Sequence, residues 1–396
     1  MTDSQVTIIG AGISGCLTAI NLTDAGIKVQ LVDRHPEPME GASRWNEGKI
    51  HLGYCYLGDP SFESAKLMLS GAACFTEEIE RLTGAPLPGH WFTRPVVYLV
   101  DTETQFPAEV LWERSQKLAR LLTERAYSET GLRKFVNTPP VLQRLDLEKA
   151  ASMTGMKNFT MAWETSEVAI APGPVADLIR RAVQERNIPY IQDTVISISP
   201  GDANWSVNTK SQRITSRAVV NASWESRVLL DRGVIQTDAP CSIRYKYALF
   251  CRNLNSVIAP APSTRIIGPY GDVTPYGNGE AFLSWYPAGL AGLSDTGIPP
   301  ALPPLDQERL ALDTLAGLGM QPGILNQPGA SWEVKGGYVI AEGHGDIDHP
   351  GSPLHSRNRV FTKELLPGYI SVDTGKYSLG PLMAKRTAEL VKNYLA

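Results

Sequence analysis

VTIIGAGISGCLTAINLTDAGIKVQLVD, residues 6–33, is the stretch on which the reading of the whole chain turns. Val6 to Ile9 form a short run rich in β-branched residues that ends in glycine, the mark of a buried strand. Gly10, Gly12 and Gly15 follow, separated by Ala11, Ile13 and Ser14. Leu17, Ile20 and Leu22 then fall near one face of a helix, and Gly26 is a natural stop for it. Residues 28–33 read as a second strand that ends at Asp33. Each position has a physical task. Gly10 lets the chain turn tightly out of the strand, Gly12 lets the backbone approach a pyrophosphate, and Gly15 lets the helix pack close to the sheet. Free N–H groups and the helix dipole hold phosphate oxygens. Asp33 can accept hydrogen bonds from ribose hydroxyls, and its charge repels a 2′-phosphate, which disfavours NADP. The spacing therefore predicts a dinucleotide site, with FAD and NAD both open on these residues. Arg34 lies beside the adenosine end.

Size and composition set the outer limits. A chain of 396 residues predicts two domains, interleaved if the opening unit needs later strands. A net charge of −4 offers no sign of a nucleic-acid partner. No apolar run approaches the length of a membrane span, and the start lacks the pattern of a secretory leader. The five cysteines form no CxxC pair, which fits reduced thiols and a cytoplasmic location.

Residues 42–56, ASRWNEGKIHLGYCY, mix small, polar and aromatic side chains without a period and read as a functional loop. A helix with Ala65, Leu69, Ala72, Phe75 and Ile79 on its inner face follows. Here the chain resembles a known family, the FAD-dependent oxidoreductases of the D-amino acid oxidase and glycerol-3-phosphate dehydrogenase group. That group follows its fingerprint with a loop of the form S-x-x-N-x-G-x-x-H, matched by Ser43, Asn46, Gly48 and His51. Within the group the loop is most similar to that of the L-2-hydroxyglutarate oxidases, through Asn46, Gly48, Ile50, His51, Gly53 and Tyr56. The resemblance implies FAD as cofactor. It places Ser43 and Arg44 at the phosphates, and Asn46, Glu47 and Gly48 through His51 near the flavin. Gly48 would permit a close pass over a flat ring. His51 has three readings: a base for a substrate hydroxyl, a covalent attachment point, or a structural tie that orients the flavin. Cys55 just beyond reads as a small packing residue.

Residues 159–200 read as strand, turn, helix and strand. The resemblance implies that the Val195 backbone touches adenine. It also implies that residues 220–224, VNASW, form the small-residue turn usually written V-x-A-A-G. Ala222 and Ser223 fit that turn, and Trp224 departs from it. Residues 242–250, SIRYKYALF, alternate as a strand with Ile243, Tyr245, Tyr247 and Leu249 on one face and Arg244, Lys246 and Ala248 on the other. The resemblance sets the substrate between such a sheet and the flavin, with Trp285, Tyr286 and Tyr247 as candidate walls and Arg265 as a candidate anchor. Near the end, YISVDTG reads as a strand and turn ahead of an amphipathic helix over 382–394. The resemblance puts Gly375, Lys376, Tyr377 and Leu379 beside the flavin pyrimidine. Arg357 is a candidate carboxylate binder and His355 an alternative base. Asp346, Asp348 and His349 read as a loop, and no metal is expected.

The expected architecture is α/β. A discontinuous Rossmann-type FAD-binding domain would use residues 1–90, 165–235 and 335–396. A mixed or antiparallel sheet over 91–164 and 236–334 would receive the substrate. The expected reaction moves a hydride from the CH–OH group of a small hydroxy acid or alcohol to flavin N5. An amine or amino acid (CH–NH) donor is the alternative, and a non-redox FAD enzyme a third class. A second fingerprint for NAD is absent, so oxygen, a quinone or a protein carrier is the expected electron acceptor.

Overall fold

A computed structural model of the chain describes residues 4–134, 136, 139–237, 240–254, 261–345, 347–349 and 352–396. Asp346, one member of the polar loop noted above, lies outside them.

The opening fingerprint folds as its residues require. Strand Val6–Ile9 is fully buried, and helix Ile13–Asp24 leaves the glycine turn directly. The strand pairs in parallel with Val29–Asp33 on one side and Ala218–Asn221 on the other. The complete sheet has six strands in the order Thr362–Leu366, Tyr369–Val372, Ala218–Asn221, Val6–Ile9, Val29–Asp33, Tyr190–Gln192. Segments from both ends and the middle of the chain thus meet in one layer, which makes this region discontinuous. Helices Ile13–Asp24, Pro172–Glu185 and Gly380–Leu395 cover one face. An antiparallel meander covers the other: Ile198, Trp205, Val207 and Ile214 pack on Ile9, Val32, Val219 and Tyr369.

The second sheet has nine strands and is mostly antiparallel. Its long members are Cys241–Arg252 and Ser331–Glu342, which pair over their full length. The alternation expected from the sequence is present. Leu249 and Cys251 pack under helix Gln307–Leu318, while Ala248 faces Ala169, Ala171, Tyr276 and Phe282. A small three-stranded sheet joins the two regions by pairing Lys49–Ile50 and Phe92–Thr93 with Val168–Ile170. Among the described residues, no helix is long and apolar enough to cross a membrane.

Candidate active site

A cleft of about 320 Å³ is lined by both large sheets. Its lining falls into two groups. The first contains the glycine turn with Asp33, Arg34, Ser43, Val195, Ala222, Trp224 and Glu225. The second contains Asn46, Glu47, Lys49, His51, Gly375, Lys376 and Tyr377.

The first group is built largely from backbone. Gly10 has φ +96, and a Cβ there would overlap the carbonyl of Ala222, so the turn out of the strand needs glycine. A Cβ on Gly12 would come 2.9 Å from Ser43 Oγ. Ser43 Oγ accepts the N–H of Ile13 at 2.9 Å, which lays the loop over the helix N-terminus. The first turn of that helix carries no acidic residue, so its dipole and its remaining free amides, including those of Ser14 and Gly15, suit a phosphate. Asp33 Oδ2 accepts the N–H of Ala11 at 2.7 Å and Oδ1 that of His35 at 2.9 Å, which fixes the carboxylate in the cleft wall. Each oxygen keeps a lone pair for a sugar hydroxyl. Arg34 pairs with Glu225 across the same group. Val195 lines the cleft where its strand is interrupted by a bulge. Trp224, the departure from the small-residue turn, has φ +53. A bulky residue held there costs on the order of 1–3 kcal/mol.

The second group is a chain of charges. His51 is 3% exposed. Its Nδ1 lies 3.1 Å from Glu167 Oε1 and its Nε2 lies 3.3 Å from Glu47 Oε1. Burial disfavours the charged ring, but Cys55 and Glu167 outweigh burial and hold the pKa well above the usual histidine value. Glu167 also accepts the phenol of Tyr98 at 2.7 Å and the N–H of Leu52 at 2.7 Å. On the other side Glu47 Oε1 meets Lys376 Nζ at 3.3 Å. Burial alone would raise the Glu47 carboxyl; Lys376, His51 and Lys49 outweigh it and hold the group well below the carboxylate range. Lys49 is fully buried. Its ammonium meets Asp272 Oδ1 at 2.5 Å, the Ser263 carbonyl at 3.1 Å and the Thr264 hydroxyl. Lys246 is pushed down to about 8 by burial, against the pull of Asp272 and Glu47. Its ammonium lies 4.8 Å from the ring centre of Tyr286. The phenol of Tyr377 lines this group and has no hydrogen-bond partner. Ser14 Oγ and Thr374 Oγ1, 2.8 Å apart, tie the glycine turn to the C-terminal loop.

The remaining candidates have other positions. Asn46 lines the cleft, but its side chain organises the loop: it donates to the carbonyls of Ala42 and Ser43 and accepts from Gly48 N–H. Gly48, expected to pass over a flat ring, has φ +63 because a Cβ would overlap the Ile170 carbonyl; its close approach is to protein backbone. Arg44, expected at the phosphates, turns to Asp177 at 2.7 Å and lies outside the cleft lining. Leu379 is buried at the start of the C-terminal helix, against Gly71. Tyr286 is buried with its hydroxyl accepting from Arg244 at 3.3 Å. His355 contacts the His349 carbonyl at 2.9 Å, and burial lowers its pKa. Arg357 is buried and donates to the carbonyls of Leu354 and Ser356 beside a second cavity of about 210 Å³. Arg265, a candidate anchor, pairs with Asp101 and donates to the Lys157 and Asn158 carbonyls, so its guanidinium is committed to structure. Sequence reasoning did not single out Glu167, Asp272 or Lys246, and covered Lys49 only as part of the segment from Asn46 to His51. Nothing in the sequence around Lys49 or Glu167 names the partner of either.

The model of the FAD-dependent oxidoreductase family named DAO matches residues 5–307, and the chain belongs to that family. FAD is its cofactor, and the glycine turn, Ser43 and the partnerless Tyr377 phenol fit such a group. Three proteins illustrate the likeness. D-amino acid dehydrogenase 2 of Ralstonia nicotianae is 46% identical over 50 residues, 13% of this chain and 12% of that protein. The match thus spans about an eighth of that relative's length. Iminodiacetate oxidase of Chelativorans sp. BNC1 shares the fold at 16% identity, with TM-score 0.68 over 98% of this chain and 95% of that one. L-α-glycerophosphate oxidase of Mycoplasma pneumoniae does so at 16% identity, with TM-score 0.65 over 98% and 94%.

Proposed function

We propose that this FAD-dependent oxidoreductase takes its electrons from the CH–NH group of an amine or amino acid. The observation that carries the reading is the position of His51 between two carboxylates, Glu167 and Glu47. Each ring nitrogen faces a carboxylate oxygen, which can only accept, so the surroundings favour a ring that donates from both nitrogens and raise its pKa. It then has no lone pair with which to take the proton of an alcohol. An alcohol donor needs such a base, whereas a neutral amine brings its own lone pair. Bound FAD supplies acceptance of two electrons from the substrate C–H bond. The chain supplies position and charge. Lys376, held by Glu47, and Lys246, which lies over the Tyr286 ring, offer cations to a substrate carboxylate. The names of the iminodiacetate oxidase and of the D-amino acid dehydrogenase point to the same donor class.

The hydroxy-acid reading rests on the loop's likeness to L-2-hydroxyglutarate oxidases and on the glycerophosphate oxidase among the fold relatives. It requires a neutral His51. Anaerobic mixing of the holoenzyme with matched amino acids, secondary amines and 2-hydroxy acids separates the two. Amino compounds should bleach the flavin; bleaching by hydroxy acids alone refutes the amine reading. Reoxidation of the bleached enzyme with oxygen, a quinone or a protein carrier then ranks the acceptors.

A further inference from the structure

Trp224 is the residue that the fingerprint and the charge chain leave unused. It occupies a left-handed backbone position at φ +53, where glycine is at ease and an indole is not. Conformations of this kind persist only where surrounding contacts over-determine them. The contact that does so here crosses the cleft. Trp224 Nε1 donates to the Tyr338 carbonyl at 2.7 Å, from the end of the parallel sheet to strand Ser331–Glu342 of the other sheet. The indole also packs with Val228, Ile243, Ile340 and Tyr338. Around it the lining is nucleotide-binding in character: Asp33, Arg34, Val195 and Glu225 on one side, Tyr245 and Tyr338 on the other. Tyr245 and Tyr338 stand edge to face at 4.7 Å, so the opposite wall is itself braced.

We infer that Trp224 is a clasp: its indole bridges the two sheets over the adenosine part of FAD and slows release of the cofactor. The backbone strain at residue 224 is then the cost of carrying a side chain long enough to reach across. The inference rests on FAD as cofactor and is independent of the proposed substrate. A structural role alone predicts that W224G, which relaxes the backbone but removes the indole packing and its hydrogen bond, alters the melting temperature and leaves FAD release unchanged.

The test is the rate at which holoenzyme, diluted into flavin-free buffer, releases fluorescent FAD. Trp224→Gly should release FAD at least tenfold faster than the native chain. Trp224→Phe keeps the bulk and removes only the indole N–H, and should release FAD several-fold faster. Release within twofold of native for both variants overturns the clasp. Should W224G fail to fold, W224F decides alone: native-like release refutes the bridging bond.

Discussion

The two groups of side chains that line the cleft are built on opposite principles. The backbone-rich group uses the amides and glycines of the opening turn with Asp33 and Ser43, joined by Val195, Ala222, Trp224 and Glu225 from later in the chain. The charged group takes Glu47, Lys49, His51 and Lys376 from the lining and braces them with Glu167 and Asp272 from behind it, residues brought together from separate strands and loops. Geometry that depends on backbone is local and survives as a motif. Geometry that depends on buried charge is assembled by tertiary structure and leaves no local pattern.

The largest predicted effect attacks the backbone group. Gly10→Ala forces a Cβ into the Ala222 carbonyl at a left-handed position and should cost about 3 kcal/mol or more. The purified variant should be colourless or unfolded, read from flavin absorbance and thermal melting. Native yellow colour would break the contrast between the groups.

Next is Glu167→Gln. It removes the charge facing His51 and leaves one oxygen where Tyr98 and Leu52 use both, so it should cost about 2–3 kcal/mol of stability by thermal or denaturant unfolding. The histidine should titrate at lower pH in the variant, visible by NMR of the labelled ring. An unchanged titration would show that Glu167 is not what holds the proton.

The pH dependence of stability follows from two opposed shifts. His51 is raised in the fold, so its contribution is complete below the unfolded value of 6.5 and fades as pH rises through the folded value. Glu47 is depressed, so its contribution is present above 4.5 and fades as pH falls through its folded value. His51→Asn should flatten the alkaline decline of holoenzyme melting temperature and leave part of the acid decline. Parallel curves for native and variant would deny the coupling.

Lys246→Met should raise KM for carboxylate-bearing amines by roughly tenfold, the loss of one charge-assisted contact, with a smaller change in kcat. The native advantage should fade above pH 8 as Lys246 loses its proton. Amines without a carboxylate should show neither effect. The smallest effect is expected for Arg44→Ala, because the guanidinium faces Asp177 at the rim. FAD affinity should change little, and stability by less than about 1 kcal/mol.

Much of the fold was legible because residues 6–33 carry strand, glycines, helix and acidic end in order, and because residues 242–250 alternate in polarity along the strand. Asn46 and His51, singled out in the loop, and Lys376, singled out in the C-terminal turn, line the cleft. The sequence could not tell what each side chain does there. Asn46 bonds the loop's own backbone, Gly48 lies close against Ile170, and Arg44 pairs with a helix 133 residues away, since such partners are chosen by packing. Glu167 was invisible for the same reason. It sits between strands Phe159–Thr165 and Val168–Ile170 with no motif around it, and becomes informative only when Tyr98, Leu52 and His51 converge on it.

The order of strands in the parallel sheet has a consequence for how the protein acquires its colour. Strand Tyr369–Val372 and the Thr374–Lys376 loop complete a cleft whose glycine turn was translated first. A nascent chain that has emerged as far as residue 360 carries the full fingerprint without the Ser14–Thr374 tie or the Lys376 charge. Flavin loading is therefore expected after synthesis has passed these residues, so that ribosome-tethered chains ending at residue 360 take up no flavin while tethered full-length chains do.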